Sequence, residues 1–355
     1  MKTLTTLKEV ARKAGVSVST VSRVVNGYEH VSDEVRRRVN QAIHELNYQP
    51  NLLAKALVSG KDTRQIGLLI YDVSNAYYAE IAGAVENVAY QSGYSVILCN
   101  SSKGRNTTTY LQTFIQRQVD CVAIATGQLE ESDVRCLERL IERNIPIVIS
   151  RERHWSCNHL LEPFNGKISF IDLDYYSGAR LAAEYLISLG HEQIALLCGL
   201  PEEEFSEDPR IKGIREVLQA YNLSLDPDLV VKNLGFNQTA GARGMLELLS
   251  RKKPFSAVIA YNDLLAIGAL AILREEGFRV PQDISVMGFD NVEASQYCYP
   301  ELTTVDVLIS EQGVFMTNDL LAQIKNKRPP MQRRIPAELV VRQSTGVNKG
   351  KKIWS

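Results

Sequence analysis

Thr6-Leu7-Lys8-Glu9-Val10-Ala11-Arg12-Lys13-Ala14-Gly15-Val16-Ser17-Val18-Ser19-Thr20-Val21-Ser22-Arg23-Val24-Val25-Asn26 is the stretch on which the reading of this chain turns. Leu7, Val10, Ala11 and Ala14 recur at i, i+3, i+4 and i+7, one face of a helix. Gly15 ends that helix in a left-handed turn, and Val16 follows as a buried plug. Ser17 is a good N-cap for a second helix running to Asn26. Its inner face is Val21, Val24 and Val25, and its outer face is Val18, Ser19, Ser22 and Arg23. Asn26-Gly27 stops it. Ser32-Asp33-Glu34 supplies a cap and an acidic first turn for a third helix, with the stripe Val35, Val39, Ala42, Ile43 and Leu46. Two short helices joined by a Gly turn, then a third, make a helix-turn-helix. The outer face of the second helix would enter the major groove. Ser19 and Ser22 are short enough for close approach to base edges, and Arg23 can bond a guanine edge or a phosphate. The bland alternative is a small helical bundle with a polar face.

Charge separates this head from the rest. Residues 1–64 hold 11 Lys and Arg against 6 Asp and Glu, a formal +5. The other 291 of 355 residues hold 29 against 35, a formal −6. A basic head on an acidic body points to a polyanion met by the head alone.

The quoted run closely resembles the DNA-binding head of the LacI/GalR family of bacterial transcription regulators. The resemblance continues through Ala42-Ile43-His44-Glu45-Leu46-Asn47-Tyr48-Gln49-Pro50-Asn51-Leu52-Leu53-Ala54 and reaches Glu338-Leu339-Val340-Val341-Arg342-Gln343-Ser344-Thr345. It implies base contacts from Val18, Ser19 and Arg23, with Ser17 and Thr20 nearby. The DNA-facing set further takes in Leu7, Ser22, Asn26, Asn51, Ala54, Lys55, Leu57 and Val58. It also implies a hinge helix over 51–58. Pro50 can open a helix and the next eight residues favour one, but about eight residues are too few for stability alone. The segment should fold when paired with its twin on DNA. By resemblance Leu57 wedges into the minor groove at a central CpG step, a known device for kinking a duplex; plain dimer packing is the alternative. Val58 stands where relatives often carry Arg or Lys. Ser59-Gly60-Lys61 lacks the earlier Gly and the following Ser or Thr of a phosphate-binding loop.

From Gln65 the pattern becomes strand–helix alternation. Apolar runs at Ile66–Tyr71, Ser95–Cys99, Cys121–Ala125 and Ile147–Ile149 form one set of buried strands. Ile168–Asp172, Ile194–Leu197, Ala257–Ala260 and Ile284–Gly288 form a second. Helical stretches between them include Tyr77–Gln91, Thr107–Gln118, Tyr175–Leu189, Ile211–Tyr221 and Asp263–Glu276. Such alternation predicts α/β lobes, each a doubly wound parallel sheet binding ligands at its strands' carboxyl ends. The resemblance makes the body similar to periplasmic sugar-binding proteins, with three crossings near 162–166, 290–294 and 325–330. The expected organisation is a head at 1–49, a hinge and linker at 50–64, and a body at 65–347. The N-lobe would be 65–163 with 293–325, and the C-lobe 164–291 with 328–347.

Effector positions follow from the same resemblance. Tyr77 and Tyr78 match an aromatic pair that can stack on a ring ligand. Arg210 matches the family's effector-binding Arg, Asn262 and Asp290 match further cleft positions, and Phe236 matches an aromatic wall. Arg and Asn donate to ligand oxygens and Asp accepts from hydroxyls, which suits a polyhydroxyl compound. Arg210 as a surface ion pair and Asp290 as a cap on the crossover remain alternatives, and Asp263 reads as a helix N-cap. After Ile147–Ile149 many sugar-binding relatives carry an Asp; here Ser150-Arg151-Glu152-Arg153 stands instead. Arg151 and Arg153 would suit an anionic ligand, whereas the acidic loop Glu202–Asp208 argues the other way.

Other chemistries find little support. Cys99, Cys121, Cys136, Cys157, Cys198 and Cys298 show no metal or redox spacing and read as reduced thiols of a cytoplasmic protein. The first residues lack a signal peptide's apolar run, and no segment is apolar enough to span a membrane. No catalytic constellation, metal site or dinucleotide fingerprint is present, and His191 reads as structural. The expectation is a ligand-responsive, sequence-specific DNA-binding repressor of carbohydrate genes. It would act without a cofactor, as a homodimer, and leave a palindromic operator when it binds a small sugar. A corepressor-dependent regulator or activator responding to a purine, sugar phosphate or phosphoprotein is the alternative. A sugar-delivery protein and an enzyme are the rivals from other classes.

Overall fold

Residues 5–25, 28, 30–48, 63–102, 106–126, 129–152 and 158–350 are described by the structure, a computed structural model. Asn26, Asn51, Ala54, Lys55, Leu57, Val58 and Arg153, and with them the expected hinge, lie outside the described residues. The chain divides into two compact units, 1–63 and 64–355.

In the first unit, Thr6 opens α1 (Leu7–Ala14). Its hydroxyl accepts from Glu9 N at 3.4 Å, and Glu9 Oε2 accepts from Thr6 N at 2.7 Å. This reciprocal cap satisfies two amides the helix leaves over. Gly15, at φ 66°, makes the left-handed stop that glycine adopts without steric penalty. Ser17 Oγ accepts from Thr20 N at 3.1 Å and so caps α2 (Val18–Val25). Ser32 precedes α3 (Asp33–Glu45) but its side chain forms no cap; Asp33 and Glu34 instead supply negative charge in the first turn. Val10, Ala11, Ala14, Val21, Val24, Val39, Ala42 and Tyr48 make the core. Val16 is only half-buried against it, because the tight turn holds it at the rim.

The second unit holds two six-stranded sheets. The first has the order β11-β5-β4-β3-β1-β2: Gln332–Ile335, Ser169–Leu173, Ile147–Glu152, Cys121–Ala125, Gln65–Ile70 and Ser95–Asn100, all parallel. The second has the order β12-β10-β9-β8-β6-β7: Glu338–Val340, Thr303–Asp306, Ser285–Asp290, Ala257–Ala260, Ile194–Leu197 and Val230–Val231. Its edge strand β12 alone runs antiparallel to its neighbour. The longer helices are α4 (Ala76–Gln91), α5 (Thr107–Arg117), α6 (Glu131–Glu142), α7 (Tyr175–Ser188), α8 (Pro209–Ala220), α9 (Gln238–Ser250), α10 (Asp263–Glu275) and α11 (Ile309–Asn326).

Each crossing between lobes comes later than the sequence suggested. Ser169–Leu173, read as the second lobe's first strand, pairs in parallel with β4 and belongs to the first sheet, so the crossing falls at Asp174. Thr303–Asp306 pairs with β9 in the second sheet, which moves the next crossing from 290–294 to between Asp306 and Ile309. The third lies between Ile335 in the first sheet and Glu338 in the second, not at 325–330. A five-residue strand buried on both faces looks the same whichever sheet receives it, so its pairing is not written locally. β2, read as buried, is an edge strand with Ser95 and Leu98 exposed. α9 and α10 cross backbone to backbone: a Cβ on Gly241 would lie 2.1 Å from Leu265 O, and one on Gly268 2.0 Å from Gln238 O.

Candidate DNA-reading face and effector site

On α2 the sequence periodicity sorts side chains cleanly. Val21 and Val24 are buried, while Val18, Ser19 and Arg23 are exposed and Thr20 and Ser22 are half-buried. An apolar Val18 left 41% exposed beside two small hydroxyls fits a surface that meets base edges and a thymine methyl. Ser17 Oγ lies 2.7 Å from Ser19 Oγ and 2.8 Å from Thr20 Oγ1, so the capping residue also steadies its neighbours. Leu7 is half-buried against the core, so its side chain is largely engaged in packing. Lys13 pairs with Glu45 at 2.7 Å, joining the end of α1 to the end of α3 and holding the Glu45 carboxyl below its ordinary range. Glu9 is lowered by its hydrogen bonds from Thr6.

In the second unit the sites are built at the carboxyl ends of the strands. Beyond β1, Asp72 Oδ1 accepts from Ser74 N and Oγ, and Asn75 Oδ1 accepts from Tyr77 N at 3.0 Å to open α4. That cap places an aromatic ladder: Tyr77 meets Tyr78 edge-on at 4.9 Å, and Tyr78 meets Tyr71 at 6.0 Å. At the end of β4, Arg151 Nε donates to Asp172 Oδ1 at 2.8 Å and its guanidinium lies 3.7 Å over the Phe170 ring. Both partners are on β5, so the cation is balanced within the sheet.

The second lobe carries a buried cation. Arg210, in the first turn of α8, is 3% exposed, which rules out an ordinary surface ion pair. Its guanidinium lies 3.5 Å from the Tyr175 ring centre and 4.0 Å from that of Tyr261. Asp208 holds this arrangement in place. Its Oδ1 caps α8 by accepting from Arg210 N and Ile211 N, and its Oδ2 accepts from Tyr261 Oη at 2.8 Å and lies 3.7 Å from Arg210 Nη1. Phe236 stands 5.7 Å from the Tyr261 ring. Asn262 is the N-cap of α10: its Oδ1 accepts from Leu265 N and its Nδ2 donates to Phe236 O. Asp263, expected as that cap, is instead the first helical residue and is fully buried.

Asp290 ends β9 with φ at 104°, followed by Asn291 at 57°. Two successive non-glycine residues in left-handed space need support from their surroundings. Asp263 Oδ2 accepts from Val292 N at 2.9 Å, Asn291 Nδ2 donates to Asp306 Oδ2 at 2.8 Å, and Arg342 Nη2 donates to Asn291 Oδ1 at 2.6 Å. Burial, followed by the nearby Asp290 charge, pushes the Asp263 carboxyl well up, which favours its protonated form. A cavity of about 150 Å³ lies against this turn, lined by Glu80 of α4 and by Asp290, Asn291 and Asp306. A second, of about 90 Å³, lies in the first lobe between Phe170, Phe315 and Arg333 and includes no predicted effector residue.

The structure thus joins Arg210, Phe236 and Asn262 through Tyr261 and the Phe236 backbone, joins Tyr77 to Tyr78, and sets Arg151 with Asp172. Sequence reasoning missed Asp208, Tyr175 and Tyr261, which hold Arg210, and Gln312, which receives the Tyr77 hydroxyl at 2.9 Å. Only Asp208 had a local signal, its place ahead of Pro209 at a helix start. The acidic loop is partly neutralised: Glu202 pairs with Lys232 at 2.6 Å and Glu207 with Lys212 at 2.7 Å. His191 is structural as read. Its Nε2 lies 2.9 Å from Gly346 O, which can only accept, so Nδ1 accepts from Ser256 Oγ, and burial lowers its pKa. Among the described residues no cluster could hold a metal ion, and no helix is long and apolar enough to cross a membrane.

A family model described as bacterial regulatory proteins, lacI family, matches residues 6–51, and a periplasmic binding protein-like domain matches residues 183–345. The HTH-type transcriptional regulator DegA of Bacillus subtilis (strain 168) is 35% identical over 344 residues, 96% of this chain and 98% of DegA. The HTH-type transcriptional repressor PurR of Histophilus somni (strain 129Pt) is 33% identical over 343 residues, 96% of this chain and 99% of PurR. The crystal structure of the lac repressor dimer bound to operator and the anti-inducer ONPF superposes with a TM-score of 0.80 at 27% identity, covering 97% of this chain and 99% of that one.

Proposed function

The chain belongs to the lacI family of bacterial regulatory proteins, DNA-binding regulators rather than enzymes, and on that premise we propose that it is a repressor of carbohydrate genes released from its operator by a small neutral sugar. The observation that carries the neutral ligand is the pairing of Arg151 with Asp172. With Arg151 balanced by Asp172 and Arg210 by Asp208 at 3.7 Å, the candidate contacts offer no uncompensated cation, but a carboxylate at Asp290, amide and hydroxyl groups, and aromatic walls at Tyr77, Tyr78 and Phe236. Such a set matches hydroxyls that both donate and accept, with ring faces against the aromatics. A phosphate ester would ask for more positive charge than this.

We infer a homodimer on a palindromic operator, since a two-fold pair of heads reads two half-sites, and the related lac repressor is a dimer on its operator. Val18, Ser19 and Arg23 read the major groove. Residues 51–58 form a hinge on DNA, with Leu57 wedged at a central CpG, and effector binding between the lobes loosens that hinge. A coupling of ~1–3 kcal/mol would shift operator affinity ~5–150-fold.

Operator selection from a random duplex library with purified ligand-free protein, at ~0.15 M salt, tests this reading. A palindrome with a central CpG is expected, and a neutral sugar should release it. If folded dimer enriches nothing until a purine or a sugar phosphate is added, the corepressor mode replaces induction.

A further inference from the structure

Gln312 is fully buried on α11, one turn after the chain has crossed back to the first lobe. Its Nε2 lies 3.0 Å from Val307 O in that crossing. A backbone carbonyl can only accept, so the amide nitrogen must face Val307 and Oε1 must face the other way. On that side Oε1 meets Tyr77 Oη at 2.9 Å and Ser150 Oγ at 3.3 Å. An amide oxygen can only accept as well. Both hydroxyl protons therefore point at Gln312, and what either oxygen can offer any other group is a lone pair.

We propose that Gln312 is a specificity-determining residue: by taking the hydroxyl proton of Tyr77 it turns that side chain into an acceptor on the first lobe's side of the effector site, which selects a ligand that donates a hydrogen bond there. This rests on the reading that places Tyr77 in the effector site. A hydroxyl of a neutral polyol satisfies such an acceptor. A phosphate or carboxylate oxygen there brings lone pairs against a lone pair and forgoes that hydrogen bond. The other lobe presents both a donor at Arg210 and an acceptor at Asp290, so Tyr77 sets the demand for a ligand donor on the first lobe's side. Tyr77 and Gln312 are 235 positions apart, so neither residue carries the signal alone.

The test uses full-length protein with tyrosines labelled with ¹³C at Cζ, as wild type, Gln312→Leu and Gln312→Glu, and Tyr77→Phe to assign the resonance. The Tyr77 Cζ signal should move in Gln312→Leu. It should return in Gln312→Glu at low pH, where a protonated carboxyl can donate to Val307 O and still accept from the hydroxyls. Calorimetry follows with D-ribose, D-glucose and cellobiose against ribose 5-phosphate and glucose 6-phosphate. Wild type should prefer a neutral sugar to its phosphate ester, and Gln312→Leu should shrink that preference roughly tenfold, the worth of one hydrogen bond. An unmoved Cζ resonance, an unchanged preference in Gln312→Leu, or a phosphate ester that outbinds its parent sugar in wild type overturns the proposal. A resonance that moves while no neutral sugar binds supports the acceptor role of Tyr77 and overturns the sugar reading instead.

Discussion

The two units handle their candidate functional side chains in opposite ways. The first leaves them in water: Val18 is 41% exposed, and Ser19 and Arg23 are exposed beside it. The second withdraws them: Arg210 is 3% exposed, Asn262 5% and Asp290 6%. The proposed targets account for the difference. A duplex is a large polyanion that must be met by a protruding face, so reading residues need little support from the core. A small ligand must be enclosed to be recognised, and each polar group that encloses it must first be satisfied within the protein. The expectation is that substitutions on α2 change binding and leave stability alone, whereas substitutions around Arg210 change both.

Arg210→Ala should break that contrast most visibly if it is wrong. Removing the guanidinium leaves Asp208 buried without its cation, at a cost of ~3–5 kcal/mol. Effector affinity should fall by ~10-fold or more with the lost charged hydrogen bonds. Chemical denaturation and effector titration on one sample check both; a stable variant that still responds would show that Arg210 does not serve the site. On the exposed side, Arg23→Ala should weaken specific operator binding by ~1–3 kcal/mol and flatten the preference at one base pair. Its melting temperature should match wild type. A loss of stability there would mean that the outer face of α2 is part of the packing after all.

Ser17→Ala sits between the two regimes. It removes the acceptor for Thr20 N and should cost ~1 kcal/mol in the first unit. Because Ser17 also orders Ser19 and Thr20, operator affinity should fall too, an effect that calorimetry and operator titration can separate.

The subtlest difference is in pH. Glu9 and Glu45 have lowered pKa values in the folded first unit, so their contribution is present above the ordinary carboxylate range and is lost as pH falls through it. Asp263 in the second unit is raised, which works the other way: its contribution is full at low pH and is lost as pH rises above its ordinary value of 3.8 towards the folded one. Asp263→Asn, which removes the charge but sets an amide NH2 against one of the two donors, should therefore change the melting temperature of the second unit more favourably at pH 8 than at pH 4. Equal changes at both would indicate a carboxyl that does not titrate in this interval. His191, lowered by burial, adds stability above about pH 6.5 that is lost as pH falls below it.

Legibility from sequence followed range. The cap at Ser17, the left-handed Gly15 and the inner face of Val21 and Val24 were readable from spacings of four residues or fewer, because helix geometry repeats at that distance, whereas the Thr6 cap came from the structure. Ser32 was misleading, since a good capping residue still needs a side-chain rotamer that the local chain does not reveal. The capping role expected of Asp263 fell to Asn262 for a similar reason. Either can cap a helix, and the choice depended on the Thr304 hydroxyl and the Val292 N–H, which donate to the Asp263 carboxyl from segments 41 and 29 positions away.

By itself the sequence determined the helix-turn-helix head, the alternation that makes a two-lobed α/β body, the split between a basic head and an acidic body, and the family to which the chain belongs. These are written in spacings of one to five residues or in motifs that carry their own context. Tertiary structure alone decided which sheet received Ser169–Leu173 and where the chain crosses, that Arg151 is spent on Asp172, and that Arg210 lies between Tyr175 and Tyr261. It also brought Gln312 to Tyr77 and Ser150. Such pairings are set by packing and hydrogen-bond satisfaction between segments up to 235 positions apart, and no periodicity along the chain encodes a partner at that distance.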